Sequence, residues 1–309
     1  MTPFVSILIP CHNAAPWLAE TLESALAQTW PHREIIVVDD GSSDDSASLA
    51  RTFAPRGIRL VEQPNRGASA ARNHALRLSS GDYLQFLDAD DLLAPDKLAQ
   101  QVQLAAAADV VLCGTWSRFT RTPADADFTP QPLSADAAPI DWLVTKFGQN
   151  AMMHPAAWLT PRALAERAGP WDESLSLDDD GEYFTRVVLA AREVRCCREA
   201  VSYYRSGLPG SLSGTKSERA WASAFRSLEL SSARLLARAD TPRTRQACAA
   251  AFQRFIFESY PRAAECRGRA AARVKALGGS DLPPPGGPKF RWARRFLGWR
   301  LAKRLQQWC

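Results

Sequence analysis

The chain reads as an α/β protein with a mainly parallel sheet, and three observations predict it. Short apolar runs of strand length alternate with segments of helical spacing through the first hundred residues. The runs are continuously apolar rather than alternating, as strands buried on both faces are. Two of them stop abruptly in carboxylates, Val38-Asp39-Asp40 and Leu87-Asp88-Ala89-Asp90-Asp91. In open sheets of this kind, ligands bind outside the carboxyl ends of the strands.

Val5 to Ile9 is the first strand, and Pro10-Cys11-His12-Asn13 ends it. Trp17 to Gln28 places Leu18, Leu22, Ala25 and Leu26 on one side of a helix. Glu34 to Val38 is the second strand, and Ser42 to Ser46 caps a helix running to about Phe53. Ile58 to Glu62, Gly67 to Leu78 and Tyr83 to Leu87 continue as strand, helix and strand. Pro95 to Ala107 is a helix and Asp109 to Cys113 a strand. Residues 121–139, rich in Pro, Asp, Ala and Thr, are an exposed excursion. Met152 to Leu159 resumes strand patterning, and Leu177 to Arg192 opens acidic and becomes an apolar-periodic helix. Val201 to Arg205 is a short strand. Ser206 to Lys216, with Gly207, Gly210 and Gly214, is expected to be a mobile loop. Ala220 to Ala239 and Thr244 to Leu277 read as two helices, followed by a Pro/Gly linker.

A chain of 309 residues, 46% hydrophobic and 23% charged, has material for a sizeable core. No apolar run reaches the length of a membrane span, and Val5 to Pro10 is too short for a signal peptide, so a cytoplasmic place is expected. The seven cysteines form no CxxC pair and read as reduced thiols. Four scattered histidines argue against a zinc site. The net charge of +5 belongs to the C-terminus: residues 282–309 hold seven cations and no acidic residue, so the remainder is slightly acidic.

Two carboxylates 4 Å apart repel by roughly 4 kcal/mol at an effective dielectric near 20. The economical counter-charge at Asp88-Ala89-Asp90-Asp91 is a hard divalent cation, which takes carboxylate oxygen and shares its shell with phosphate. A solvated turn capping the next helix is the alternative. No GxGxxG follows the first strand, which weakens a dehydrogenase reading.

Four motifs occur in order: Val5-Ser-Ile-Leu-Ile-Pro-Cys-His-Asn13, Ile36-Val-Val-Asp-Asp-Gly-Ser42, Asn65-Arg-Gly-Ala-Ser-Ala-Ala-Arg-Asn73 and Gly81-Asp-Tyr-Leu-Gln-Phe-Leu-Asp-Ala-Asp-Asp91. The set resembles the N-terminal half of a family 2 glycosyltransferase of GT-A fold, closely over residues 3–100 and more loosely to about 215. The resemblance implies a nucleotide-sugar donor, UDP-linked, a divalent cofactor (Mn2+ or Mg2+) and inversion at the anomeric carbon. It places Asp39 and Asp40 as nucleotide readers, with Pro10 and Asn13 bordering the base and His12 either there or in packing. Arg72 would pair with the pyrophosphate or with an active-site aspartate. Asp90 would hold the metal, Asp88 the ribose or the metal, and Asp91 would be a ligand or a helix cap. Asp178-Asp179-Asp180-Gly-Glu182-Tyr-Phe-Thr-Arg186 is similar to the family's acceptor-side acidic motif, with Asp180 as the base and Asp179 as fallback. Crowding of these carboxylates should raise a pKa toward the range a base needs.

The chain lacks Gln-x-x-Arg-Trp, so single addition is expected rather than processive synthesis. Ser206 and Gly207 follow Tyr204-Arg205 where the family often has a histidine. Arg205 and Lys216 flank the glycine-rich loop and would face a diphosphate if it closes as a lid.

The expected layout is a catalytic domain over 1–215, with a nucleotide-sugar half (1–115) and an acceptor half (116–215). A helical extension (216–277), a linker (278–288) and a basic amphipathic tail (289–309) follow. The tail's stripe through Phe290, Leu297, Leu301, Leu305 and Trp308 suits an anionic membrane face, which would make the enzyme peripheral on the inner side of the cytoplasmic membrane, acting on a glycan or lipid-linked acceptor. Packing on the domain is the alternative. The slightly acidic remainder offers no groove for nucleic acid. A nucleotidyltransferase of related architecture, or a sugar-nucleotide-binding module without catalysis, are the rival readings. The first wants a basic glycine-rich loop after the first strand, where Asn13-Ala14-Ala15-Pro16 stands.

Overall fold

The computed structural model describes residues 2–306, apart from 106, 129–130, 209–213 and 215–216. Strand β1 (Val5–Cys11) is buried along its whole length and lies parallel to β2 (Arg33–Asp40) and β4 (Tyr83–Phe86). From β1 the chain steps outward through helix α1 (Ala15–Leu26) to β2, then through α2 (Ser46–Thr52) to β3 (Ile58–Gln63). Helix α3 (Ala68–Leu78) carries it back to β4, on the other side of β1. The strand order reverses between β1 and β4, which opens a crevice at their carboxyl ends. Both acidic strand ends border that crevice. On its far wall α1 is pinned to the acidic loop, because Thr21 Oγ1 donates to the carbonyls of Ala89 and Asp91.

Beyond β4 the sheet changes character. After β5 (Leu92–Leu93) and α4 (Lys97–Leu104) come β6 (Val110–Phe119), α5 (Pro139–Gln149), β7 (Trp158–Pro161), α6 (Arg162–Ala168), α7 (Asp179–Ala190) and β8 (Glu193–Arg205). The eight strands run in the order β3-β2-β1-β4-β7-β6-β8-β5. β7 is antiparallel to β4 and β6, β8 is parallel to β6, and β5 is antiparallel to β8. A mainly parallel sheet therefore describes the first half, and the whole is mixed.

Several boundaries move from the sequence reading. The strand at Cys113 continues to Phe119, and the strand at Val201 starts at Glu193. Arg195, Arg198 and Glu199 interrupt the apolar run there, so a long half-buried strand was hidden. Met152 to Ala157 is a loop and a single 3-10 turn, and pairing begins only at Trp158. Helix α5 closes the excursion and ends at Asn150 in the left-handed conformation (φ 56°). Thr244 to Leu277 is not one helix. It divides into α9 (Pro242–Ser259) and α10 (Ala264–Ala276), because Pro261 has no N–H to give and disfavours helical backbone at Tyr260.

An aromatic core ties the halves together. Trp171 stacks on Tyr183 at 4.1 Å and Trp158 on Phe184 at 4.9 Å, with Phe86 of β4 edge-on to three of these rings. Helices α8 (Glu218–Arg238), α9 and α10 share a smaller core of Phe225, Phe252, Phe255, Ala270 and Val274. Helix α11 (Pro288–Gln306) is kinked at Gly298 (φ 71°) and lies on this body. Trp299 packs edge-on to Phe257 and Tyr260, Lys303 donates to the Phe257 carbonyl, and Phe290 and Ala302 are buried. The tail is thus seated rather than swinging free on its linker, and Phe290 points inward, off the expected stripe. Trp308 lies outside the described residues. Among the described residues no helix is long and apolar enough to cross a membrane.

Candidate active site

The exits of β1 and β2 are laced into one rim. Asn13 sits at φ 50°, its N–H donates to Ser42 Oγ (3.0 Å), and its side-chain oxygen accepts from Ser43 N (2.8 Å). His12 Nδ1 lies 3.0 Å from the Asp40 carbonyl, and Asn65 Nδ2 reaches the same ring. Gly41 (φ 67°) is required here, since a Cβ would stand 2.8 Å from Asn65 N. Asp39 accepts from Ser42 N and Ser42 Oγ at 3.0 and 2.5 Å, leaving lone pairs on both oxygens. Asp40 is more fully occupied: it accepts from Gln63 Nε2 (2.7 Å), Arg66 N (2.9 Å) and Gly67 N (2.8 Å). It fastens the loop that opens α3, whereas Asp39 fastens the turn at Ser42.

Pro10 is not on the exit loop. It is a buried residue of β1 opposite Val38. Its nitrogen faces the β4 side, where ladder pairing stops with Leu8 opposite Phe86, so the missing N–H costs little.

Arg72 is the hub. It is 5% exposed on α3, where Ala70 and Ala71 let the helix pack closely. Nη2 donates to Asp88 at 2.7 Å and Nη1 to Asp179 at 2.7 Å, so one guanidinium links the β4 end to the start of α7. Its plane lies 4.5 Å over the Trp171 ring. Asn73, next along the chain, fixes that ring: its side chain exchanges hydrogen bonds with the Trp171 backbone N–H (2.8 Å) and carbonyl (2.9 Å). Of the two partners expected for Arg72, the structure shows the aspartates. Asn73 and Trp171 escaped the sequence reading because their pairing spans 98 residues.

The acidic loop after β4 holds three carboxylates in different states. Asp88 is held by Arg72. Asp90 is pushed up to about 7 by burial and by the neighbouring Asp91 and Asp88. Beyond its own backbone N–H, no donor among the described residues reaches its carboxyl. Asp91 is fully buried, accepting from Arg205 N (2.9 Å) and bonded to His154 Nδ1 (3.0 Å), whose Nε2 meets Ser202 Oγ (2.9 Å). Asp91 caps no helix, since β5 follows it and Asp96 stands at the start of α4. It ties the loop to β8, and His154 is the partner that a lone histidine in sequence could not announce. Arg205 is likewise structural. It is buried over the Phe119 ring, donates to the Asp90 carbonyl (2.9 Å) and pairs with Glu20 (2.7 Å). Lys216 and Gly210 lie outside the described residues.

Among the described residues no group of three His, Cys, Asp or Glu side chains forms a metal cage. Asp90 and Asp88 still fit a hard divalent cation. Asp90 is a crowded carboxyl without a counter-charge of its own, and such ions accept two protein carboxylates when phosphate oxygens fill the rest.

Across the crevice, Asp178 adopts φ 62° and its carboxylate accepts from Ser227 Oγ of α8 at 2.7 Å. Gly181 must lack a side chain, because a Cβ would overlap that carboxylate. Lys146 of α5 donates to the Gly181 carbonyl (3.0 Å). Asp179 is engaged by Arg72 and by Ser69 Oγ (2.8 Å). Asp180 has no such partner among the described residues. Burial, then Asp178 and Asp179, push its carboxyl up to about 7, against the pull of Lys146 and Arg72. Asp179 is thus held by two side-chain donors, while the Asp180 carboxyl is raised and accepts from no side chain among the described residues.

Comparison with known proteins bears on the family and the fold. Residues 6–154 match the family model described as Glycosyl transferase family 2. The chain is 32% identical over 228 residues to the uncharacterized glycosyltransferase EpsJ of Bacillus subtilis, an alignment covering 69% of this chain and 63% of that protein, under two thirds of its length. S. aureus TarS 1–349 in complex with UDP-GlcNAc superposes with a TM-score of 0.72 at 18% identity, over 98% of this chain and 91% of that one. The mannosyltransferase PcManGT from Pyrobaculum calidifontis, in complex with GDP-Man and Mn2+, gives 0.55 at 20% identity, over 99% and 87%. At such identities the two structures speak for the fold, which is of GT-A type. From the order of its motifs, the family match and that fold, residues 6–154 form a family 2 glycosyltransferase domain in a chain of GT-A type fold.

Proposed function

We propose that this protein moves a hexose or N-acetylhexosamine from a UDP-sugar to an acceptor hydroxyl, with inversion, in one displacement. The observation that carries the reading is the contrast at the head of α7. Asp179 is bound by Arg72 and Ser69, whereas Asp180 beside it is free and raised to about 7. A base with that affinity is about half deprotonated at neutral pH and takes a proton readily.

In this reading Asp180 accepts the acceptor's hydroxyl proton as its oxygen attacks the anomeric carbon. The bond from that carbon to the diphosphate oxygen breaks on the opposite face, so an α-linked donor yields a β-linked product. Asp39 and the Asn13 rim hold the nucleoside, and Asp40 keeps that rim in place. Arg72 keeps Asp88 and Asp179 at a fixed separation. Asp90 and Asp88 would hold Mn2+ or Mg2+, which when bound neutralises charge gathering on the diphosphate. A glycan or lipid-linked acceptor of the cell envelope is the partner we infer, with no nucleic acid. The uridine choice draws support from the fold neighbour TarS, whose complex contains UDP-GlcNAc, and a divalent ion from PcManGT, whose complex contains Mn2+.

Incubation with UDP-, GDP- and dTDP-sugars, with and without Mn2+ or Mg2+, tests the reading. Metal-dependent release of UDP is expected. Release of pyrophosphate would contradict it in favour of nucleotidyl transfer, and release of neither product would leave binding without catalysis.

A further inference from the structure

Six large apolar side chains stand more than a third exposed among the described residues, and five are on α11: Trp292 (69%), Phe296 (68%), Leu297 (46%), Leu301 (46%) and Leu305 (47%). The sixth is Phe128. Elsewhere the surface obeys ordinary solubility. On this one helix it does not, and chance scatter does not produce such a cluster.

The helix is not an unfinished piece of core. Its inner side is already satisfied by Phe290, Trp299 and Ala302 against the body, with Lys303 bonded to the Phe257 carbonyl. What remains outside is a second face. Trp292 and Phe296 lie one turn apart with ring centroids at 5.2 Å, and Leu301 and Leu305 repeat the spacing beyond the Gly298 kink. Lys289, Arg291, Arg295, Arg300 and Arg304 are exposed among them, and no acidic residue occurs from 282 to 309.

We propose that this outer face of α11 docks on an anionic lipid surface, with its aromatic and leucine side chains in the headgroup–acyl boundary and its cations on the lipid phosphates. Charge selects the occupant. A second copy of the chain would bring the same cations against themselves, and a nucleic acid would leave three leucines in water without a base to stack on. An anionic bilayer satisfies both the apolar and the cationic side chains. Because the inner side is seated, the docking surface is a fixed part of the molecule rather than a tethered tail. The proposal goes beyond the catalytic reading and stands independently of it.

The test is sedimentation of the full chain with phosphatidylcholine vesicles, with and without phosphatidylglycerol, at low and high salt. Binding is expected only with the anionic lipid, and weaker at high salt. The double variant Trp292→Ala/Phe296→Ala, and separately Arg291→Glu/Arg295→Glu, should each weaken binding by about tenfold or more. Both leave Phe290, Trp299 and Ala302 in place, so the thermal midpoint and UDP binding should stay unchanged. Wild-type protein left in the supernatant with anionic vesicles at low salt would overturn the proposal. So would equal binding by the variants, or light scattering that shows a dimer lost in the aromatic variant, which would make the face an interface between copies.

Discussion

At the scale of single residues, the proposed mechanism rests on Asp180 and Arg72. The Asp180 carboxyl stands at about 7, above the ordinary aspartate value of 3.8, because burial and two neighbouring carboxylates disfavour its charge. A base acts only when deprotonated, so donor turnover should rise as pH passes upward through about 7 and level off above it. Asp179→Asn removes one of the charges that raise Asp180, so the acid limb should move to lower pH. A pH–rate profile of UDP release reads both, and an unmoved limb in Asp179→Asn would count against the crowding argument. Arg72→Ala leaves Asp88 and Asp179 without their shared cation in a largely buried place. Removing one partner of a buried pair costs about 3–5 kcal/mol, which urea unfolding would detect. Arg72→Lys keeps the charge, but one ammonium lacks the planar fork that spans two carboxylates, so it should recover stability only in part.

The start of α7 shows why an element can carry more than its propensity. Alanine normally stabilises a helix relative to glycine by about 1 kcal/mol. At Gly181 the opposite is expected, because the added methyl would displace the Asp178 carboxylate from Ser227. Gly181→Ala should cost about 1–3 kcal/mol as overpacking does and slow turnover, since Asp178 and Asp180 flank the same turn. Thermal melting and initial rates check it together. A stabilised variant with full activity would show that the turn is looser than its contacts indicate. Elements were legible where burial was uniform. Val5 to Cys11, Arg33 to Asp40 and the helix at Ala68 announce themselves as apolar runs or small-residue faces. Glu193 to Arg205 did not, because charged and cysteine residues alternate through a half-buried strand. The break at Pro261 was readable from the proline alone, and periodicity on either side masked it.

For the whole molecule, the ordered motifs located the crevice, and the four groups Asp88, Asp90, Asp179 and Asp180 were all readable as acidic punctuation. Which of them is free was not. That depends on contacts made across the fold, Arg72 to Asp179 over 107 residues and His154 to Asp91 over 63. Such pairings leave no local pattern, so the cross-fold contacts of Asp91, Arg205 and Asp40 were not legible in the sequence. The fold's use of them is consistent: each ties a strand end or loop into the rim. The central claim is that Asp180 moves the proton. Its most direct measurement compares wild type with Asp180→Asn for UDP affinity and for metal-dependent UDP release from the best UDP-sugar donor. UDP affinity should be unchanged and release should fall by about 10²–10⁴-fold, the range a lost general base costs. Release by Asp180→Asn at close to the wild-type rate would contradict the account.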